Sequence, residues 1–124
     1  MSLRPGFSII IPTFNRAFCI CEAVDSVLMQ NYPDFELIVI DDGSSDGTDM
    51  LLKERYGAEM ACGRLKYLQS GHEGVSAARN KGLRAATREW AGYLDTDNRM
   101  CADYFAVFEN AVRTGGAKCY YAQI

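Results

Sequence analysis

Apolar runs and amphipathic stretches alternate along this chain. Residues 7–11 form a β-branched run closed by Pro12, the pattern of a buried strand stopped at its carboxyl end. Phe18, Cys21, Val24 and Leu28 then recur at helical spacing with Glu22 and Asp25 on the opposite face, which predicts a helix with those four side chains inward. Asn31-Tyr32-Pro33-Asp34 breaks it, and residues 37–40 supply a second strand. Asp46 or Ser45 is placed to cap a helix over 48–56 that Gly57 ends, followed by a loop over 58–64 and a short strand over 65–68. Residues 75–87 predict a helix whose small residues Val75, Ala78, Gly82 and Ala86 pack closely on a sheet. A strand over 90–94 follows, then a helix burying Tyr104, Phe105, Phe108 and Val112 that stops at Gly115-Gly116, then a last strand over 119–122.

Strict alternation of strand and helix implies an α/β fold: a mainly parallel sheet, helices on both faces, right-handed crossovers. Ligands of such sheets bind outside the carboxyl ends of the strands. Two acidic clusters fall at that edge, Asp41-Asp42-Gly43-Ser44-Ser45-Asp46 after the second strand and Asp95-Thr96-Asp97 after the fourth. Carboxylates there add nothing to a core, but they are the hard oxygen ligands a divalent cation prefers.

Composition narrows the classes. At 124 residues the chain is one domain's worth, and 48% apolar with 23% charged residues excludes a disordered chain. A net charge of -3 with dispersed basic residues leaves no polycationic face, so no nucleic-acid partner is expected. Apolar stretches fall well short of the roughly 20 residues that span a bilayer. Five cysteines, odd in number and without zinc-type spacing, suit reduced thiols and a cytoplasmic setting. Residues 1–6 are read as a leader.

No G-x-G-x-x-G follows the first strand and no G-x-x-x-x-G-K-S/T occurs, which excludes an NAD-type turn and a P-loop. Several acidic and aromatic groups have plain structural readings beside functional ones. Asp41 is read as bracing its loop and Asp46 as a helix cap. Arg79 has two readings, a nucleotide contact or an ion pair with Asp41 or Asp42. His72, the one histidine, reads as an exposed loop residue that could also reach a phosphate. Phe14 either flanks a ligand or plugs the core.

Taken in order, Pro12-Thr13-Phe14-Asn15, Asp41-Asp42-Gly43-Ser44, residues 74–82 (Gly-Val-Ser-Ala-Ala-Arg-Asn-Lys-Gly) and Asp95-Thr96-Asp97 resemble the nucleotide-diphospho-sugar glycosyltransferases of family two. The resemblance runs from Phe7 to about Tyr121. It implies a Rossmann-like GT-A fold and a nucleotide-diphosphate donor, UDP-linked by preference, lying across the first strands against Pro12, Thr13, Phe14, Asp42, Arg79 and Asp95. By that likeness Phe14 flanks the base, Asp42 accepts from a base ring nitrogen, Asp95 lies near the ribose and sugar, and Asp97 holds Mg²⁺ or Mn²⁺. The chemistry implied is inverting transfer of a sugar to an acceptor hydroxyl, on a saccharide or lipid-linked acceptor, at the cytoplasmic face of a membrane in a full-length form.

Two positions depart from the family pattern: Asn98 stands where a third acid often follows, and Ala102 where a proline often does. The family's catalytic base is expected beyond Ile124, so the chain reads as a truncated, donor-binding portion spanning 7–124. A non-catalytic nucleotide-sugar-binding module is the alternative. A phosphotransfer receiver domain is disfavoured, because the last strand lacks a lysine at its end. The resemblance also implies strand order 3-2-1-4, leaving the 90–94 strand with an open edge that residues 119–122 or a second copy of the chain would fill, giving a homodimer in the latter case.

Overall fold

The computed structural model describes residues 4–115. Four parallel strands, β1 (Phe7–Thr13), β2 (Phe35–Asp41), β3 (Leu65–Gln69) and β4 (Trp90–Tyr93), form one sheet in the order β3-β2-β1-β4. Among the described residues the helices are α1 (Ile20–Leu28), α2 (Thr48–Arg55), α3 (Gly57–Ala61), α4 (Val75–Ala85) and α5 (Tyr104–Thr114). The parallel α/β architecture and the strand order match the expectation. The strand expected over 119–122 lies outside the described residues.

Every residue of β2 and all but Pro12 of β1 are buried, the near-continuous apolar pattern of central parallel strands covered on both faces. Ile9, Ile11, Leu37 and Val39 face one side, against Ile20, Ala23, Val24 and Val27 of α1, Leu52 of α2 and Phe105 of α5. Ile10, Ile38 and Ile40 face the other, against Ala78 of α4. Because crossovers are right-handed, a connection that reverses direction along the sheet must cross the opposite face. α1 carries the chain from β1 to β2 on the first face, and α4 carries it back past both to β4 on the second. The reversal falls between β1 and β4, where open α/β sheets form a ligand crevice.

Several local expectations are corrected. β1 does not stop at Pro12 but runs to Thr13, paired with Asp41 of β2. Phe18 is 78% exposed rather than inward, because α1 begins only at Ile20, and the buried face is rotated onto Ile20, Ala23, Val24 and Val27. The loop expected over 58–64 opens with the short helix α3. α4 ends at Ala85 rather than Thr87, since Thr87 turns out of the helix to bond Glu36. Val75 is half-exposed, whereas Ala78 and Gly82 are buried.

Gly82 is where α4 meets β1 most closely. A Cβ at this position would stand 2.5 Å from Cγ2 of the fully buried Ile10. Gly82→Ala should therefore destabilise by up to about 2 kcal/mol, an overpacking cost that the 2.5 Å approach puts toward the upper end of about 1–3 kcal/mol, offset by about 1 kcal/mol of helix propensity. Urea unfolding measures it; an unchanged or raised midpoint would mean that α4 slides off β1 freely.

The amino ends of the strands hold a buried polar cluster. Glu36, 2% exposed, accepts from Ser8 Oγ (2.6 Å), Thr87 N–H (2.7 Å) and Thr87 Oγ1 (2.9 Å), and pairs with Lys66 Nζ at 2.7 Å. Burial alone would raise this carboxyl, but the bonds from Lys66, Ser8 and Thr87 outweigh it and pull the pKa from 4.5 to about 2. One side chain thus ties β1, β2, β3 and the segment entering β4. Pro5 and Gly6, read from the sequence as leader, are buried here; the Tyr32 hydroxyl donates to Pro5 O, and Trp90 N–H donates to Gly6 O at 3.2 Å.

Candidate functional site

All four strands end on one side of the sheet, and a single residue opens a gap there. Leu94 N–H donates to Ile10 O at 3.0 Å, but Pro12, the next β1 residue turned toward β4, has no N–H to extend the ladder. The strands part, and a crevice of about 230 Å³ opens between them, lined by Pro12, Thr13, Phe14, Arg16, Asp42, Val75, Ala78 and Thr96.

The loops after β1 and β2 are stitched together. Asn15, held at a left-handed φ of 52°, donates from its N–H to Ser44 Oγ (2.8 Å) and accepts from Ser45 N–H through Oδ1 (2.8 Å). Asp46, one residue outside the Gly47 cap of α2, accepts from Ala17 N–H at 3.0 Å and from the Thr48 hydroxyl, which holds its carboxyl below the usual range. Asp41 is 1% exposed and accepts from Ser44 N–H (2.9 Å) and the Tyr67 hydroxyl. Both oxygens of Asp41 are thereby turned into the loop and away from the crevice.

Asp42 is the buried carboxylate that lines the crevice. It accepts from Ser70 Oγ (2.8 Å), Glu73 N–H (2.8 Å) and Gly74 N–H (2.9 Å), so it also anchors the loop between β3 and α4. Burial pushes its carboxyl up, yet the bonds from Glu73, Ser70 and Gly74 outweigh that and hold it below the usual range. It stays ionised and acceptor-only, with acceptor capacity left on Oδ2. Phe14, 40% exposed, does not plug the core; its ring forms a wall of the crevice.

Among the described residues, the buried side-chain polar atoms without a hydrogen-bond partner are Thr13 Oγ1 and Arg79 Nε, and both belong to this edge. A buried polar atom left unpaired is costly, and beside a crevice it has room to take a partner from a ligand or from water. A larger depression of about 590 Å³ at the amino end of the sheet, lined by Arg4, Tyr32, Glu59 and Arg64 among others, has no such atom. Arg4 is paired there with Glu109 at 2.6 Å, and Arg64 donates to Tyr32 O at 3.0 Å. Chemistry favours the smaller crevice.

Of the residues singled out from the sequence, Pro12, Thr13, Phe14 and Asp42 come together around the crevice. Arg79 does not pair with Asp41 or Asp42, as one of its two readings had it, because those carboxylates are taken up by their own loops. It reaches across from α4 to Asp95, with NH2 3.2 Å from Oδ1. Asp97 is exposed, and among the described residues no group of three or more His, Cys, Asp or Glu side chains is placed to hold a metal ion. With Asp95 engaged by Arg79, Asp97 is an exposed hard-oxygen donor at this edge. That set fits Mg²⁺ or Mn²⁺, which take few protein ligands and complete their shells from phosphate and water, and no ion that needs a full protein cage.

Thr96, buried at 8% exposure between the two aspartates, lines the crevice and was not singled out from the sequence. Neither was Ser70, whose hydroxyl holds Asp42. For Thr96 no signal was available, because β4 ends at Tyr93 and Thr96 lies in a turn closed by Asn98 N–H donating to Asp95 O at 3.1 Å, where strand alternation no longer applies.

The sequence profile of the family described as "Glycosyl transferase family 2" matches residues 8–124. The GalNAc(5)-diNAcBac-PP-undecaprenol beta-1,3-glucosyltransferase of Campylobacter jejuni is 30% identical over 118 residues, 94% of this chain and 37% of that protein. An uncharacterized glycosyltransferase of Rickettsia felis is 36% identical over 100 residues, 77% of this chain and 15% of that protein. Among solved structures, the Pyrobaculum calidifontis mannosyltransferase PcManGT in complex with GDP-Man and Mn²⁺ superposes with a TM-score of 0.76 at 31% identity, covering 90% of this chain and 32% of that one. The 1-349 fragment of S. aureus TarS in complex with UDP-GlcNAc superposes at 0.73 with 29% identity, covering 87% and 30%. The chain thus spans well under half the length of these proteins. The fold they share is the GT-A fold.

Proposed function

Because the chain belongs to glycosyl transferase family 2, we propose that its crevice receives the nucleotide of a diphospho-sugar, a UDP-sugar by preference, as the donor-binding part of an inverting glycosyltransferase. The carrying observation is the placement of an ionised, buried Asp42 and an unpartnered Thr13 hydroxyl beside the Phe14 ring at the point where β1 and β4 part. An acceptor-only carboxylate pairs with a base that offers a ring N–H, as uracil and guanine do, and not with cytosine or adenine, which offer a lone pair there. The solved relatives with UDP, UDP-GlcNAc and GDP-Man bound support this selection.

In the proposed reaction an acceptor oxygen forms a bond to the anomeric carbon on the face opposite the diphosphate, whose bond to that carbon breaks through an oxocarbenium-like transition state. Mg²⁺ or Mn²⁺ held by Asp97 would neutralise the charge that develops on the leaving diphosphate. Arg79 and Asp95, already paired, position each other beside the ribose and sugar, and Arg79 Nε takes a ligand oxygen. No described residue is assigned as the base that receives the acceptor's proton. The acceptor is a saccharide or lipid-linked saccharide, the class that the Campylobacter jejuni relative's name gives for that protein.

Asp97→Asn tests the metal assignment. UDP binding to the wild type should strengthen at least tenfold when Mn²⁺ is added, and the variant should lose that gain while keeping its metal-free affinity and its melting temperature. An undiminished gain would assign the ion elsewhere.

Four cysteines, Cys19, Cys21, Cys62 and Cys101, are free, and among the described residues no helix is long and apolar enough to cross a membrane. Free thiols support the proposal of a cytoplasmic setting. The folded unit is proposed to include Pro5 and Gly6 rather than to begin at Phe7, and the open side of the edge strand β4 is proposed to be filled by a second copy of the chain, the alternative at residues 119–122 lying outside the described residues. Light scattering with hydrogen exchange on residues 90–94 decides: a monomer whose amides there exchange rapidly would contradict it.

A further inference from the structure

His72 sits where the proposed nucleobase belongs. Its ring centroid is 4.4 Å from that of Phe14 at an interplanar angle of 33°, and its Nδ1 is 3.9 Å from Asp42 Oδ2. A flat aromatic ring leaning on Phe14 with a ring nitrogen turned toward Asp42 is the arrangement that uracil or guanine would need at this place. Two rings 4.4 Å apart leave no slot for a base between them, which would take about 7 Å, a contact of about 3.5 Å on each side.

The loop is built to hold the imidazole there and to release it. His72 has a left-handed φ of 57°, a conformation that non-glycine residues seldom adopt, while the Ser70 hydroxyl and the Glu73 and Gly74 amides beside it are fixed on Asp42. Gly43 of the β2 loop lies under it; a Cβ there would be 3.4 Å from His72 N. The side chain itself is 68% exposed, so it can swing into solvent without moving the anchored backbone around it.

Resting on the reading that Phe14 and Asp42 receive the base, we propose that the His72 imidazole occupies the base site of the free protein and is displaced by the incoming nucleotide. A site that is self-occupied part of the time binds with an affinity reduced by the open fraction. A stacked aromatic pair is worth enough to make that reduction about twofold to tenfold.

His72 is the one histidine of the 124 residues, so its imidazole protons are a unique signal in a proton NMR spectrum. In the free chain they should lie upfield of their position in Phe14→Leu, shifted by the phenyl ring current, and they should move downfield as UDP is added with diamagnetic Mg²⁺. By calorimetry His72→Asn, which tolerates the left-handed backbone but has no ring, should bind UDP about twofold to tenfold more tightly than the wild type. Identical histidine shifts in the wild type and Phe14→Leu would overturn the proposal without reference to any nucleotide. Weaker UDP binding by His72→Asn would also overturn it, by showing that the base keeps the imidazole as a contact. A ring-shifted histidine in a chain that binds no UDP at all would instead overturn the donor-site reading, and the displacement with it.

Discussion

Glu36→Gln should cost about 3 kcal/mol of stability at neutral pH, and the deficit should vanish in acid. The carboxylate is fully buried, three bonds from Ser8 and Thr87 converge on its Oε2, and Lys66 pairs with Oε1. Gln keeps the shape but removes the charge that Lys66 and the donors face, leaving a strained, partly mispaired cluster where four segments of chain meet. The pKa in the folded chain, about 2, lies below the usual 4.5, so the contribution is fully present above pH 4.5 and is lost as pH falls toward 2. A shift of that size corresponds to about 3 kcal/mol. Urea unfolding across this range should show the wild type losing stability while the variant stays flatter, the two curves converging near pH 2. Parallel curves would mean that the depressed pKa is not a property of the folded state.

Asp42→Ala should have the largest effect on ligand binding: UDP affinity should fall by about tenfold to a hundredfold, with or without metal. Its carboxylate has two duties. It is the proposed acceptor for the base N–H, and a charged hydrogen bond in a buried site is worth about 1.5–3 kcal/mol. It also receives Ser70 Oγ and the Glu73 and Gly74 amides, so its removal unpins the loop that carries His72 into α4. Melting temperature should fall as well. Asp42→Asn separates the duties, because its amide oxygen still accepts from the loop while its NH₂ opposes a donor base. It should keep most of the stability and still lose the UDP affinity. Equal losses of affinity and stability in both variants would show Asp42 to be a loop anchor alone.

Legibility in the sequence followed burial. β1 and β2 are buried on both faces, so their apolar runs stood out, and the regular alternation with helices was enough to imply a parallel sheet and its functional edge, while the strand order came from the family resemblance alone. α1 shows why detail was lost. Phe18 fits the helical spacing as well as Ile20 does, and only the start of the helix, set by Arg16 O accepting from Cys19 and Ile20 N–H, decides which of them is inward. Pro12 was read as a stop, when its missing N–H ends the ladder on one side only and leaves β1 paired with β2.

The same limit applies to the site. Asp41 and Asp42 are adjacent, and alternation along the chain sends neighbouring side chains opposite ways, so one of the pair had to turn from the crevice. Which partners each would find was not readable. Tyr67, Ser70 and the amides of Glu73 and Gly74 lie 26 to 32 residues away. Glu36 was invisible for that reason too, since a lone acid in an apolar run gives no hint that Ser8, Lys66 and Thr87 will converge on it. Arg79 found Asp95 because α4 crosses the sheet to the side where β4 ends.

The account stands most directly on one titration: nucleoside diphosphates added to the folded 124-residue chain in a calorimeter, with Mn²⁺ present. UDP should bind with measurable heat and CDP at least tenfold more weakly, because Asp42 accepts a hydrogen bond and cannot donate one. Equal affinity for UDP and CDP, or no heat with any nucleoside diphosphate from a chain shown to be folded, would contradict a base-reading donor site between β1 and β4.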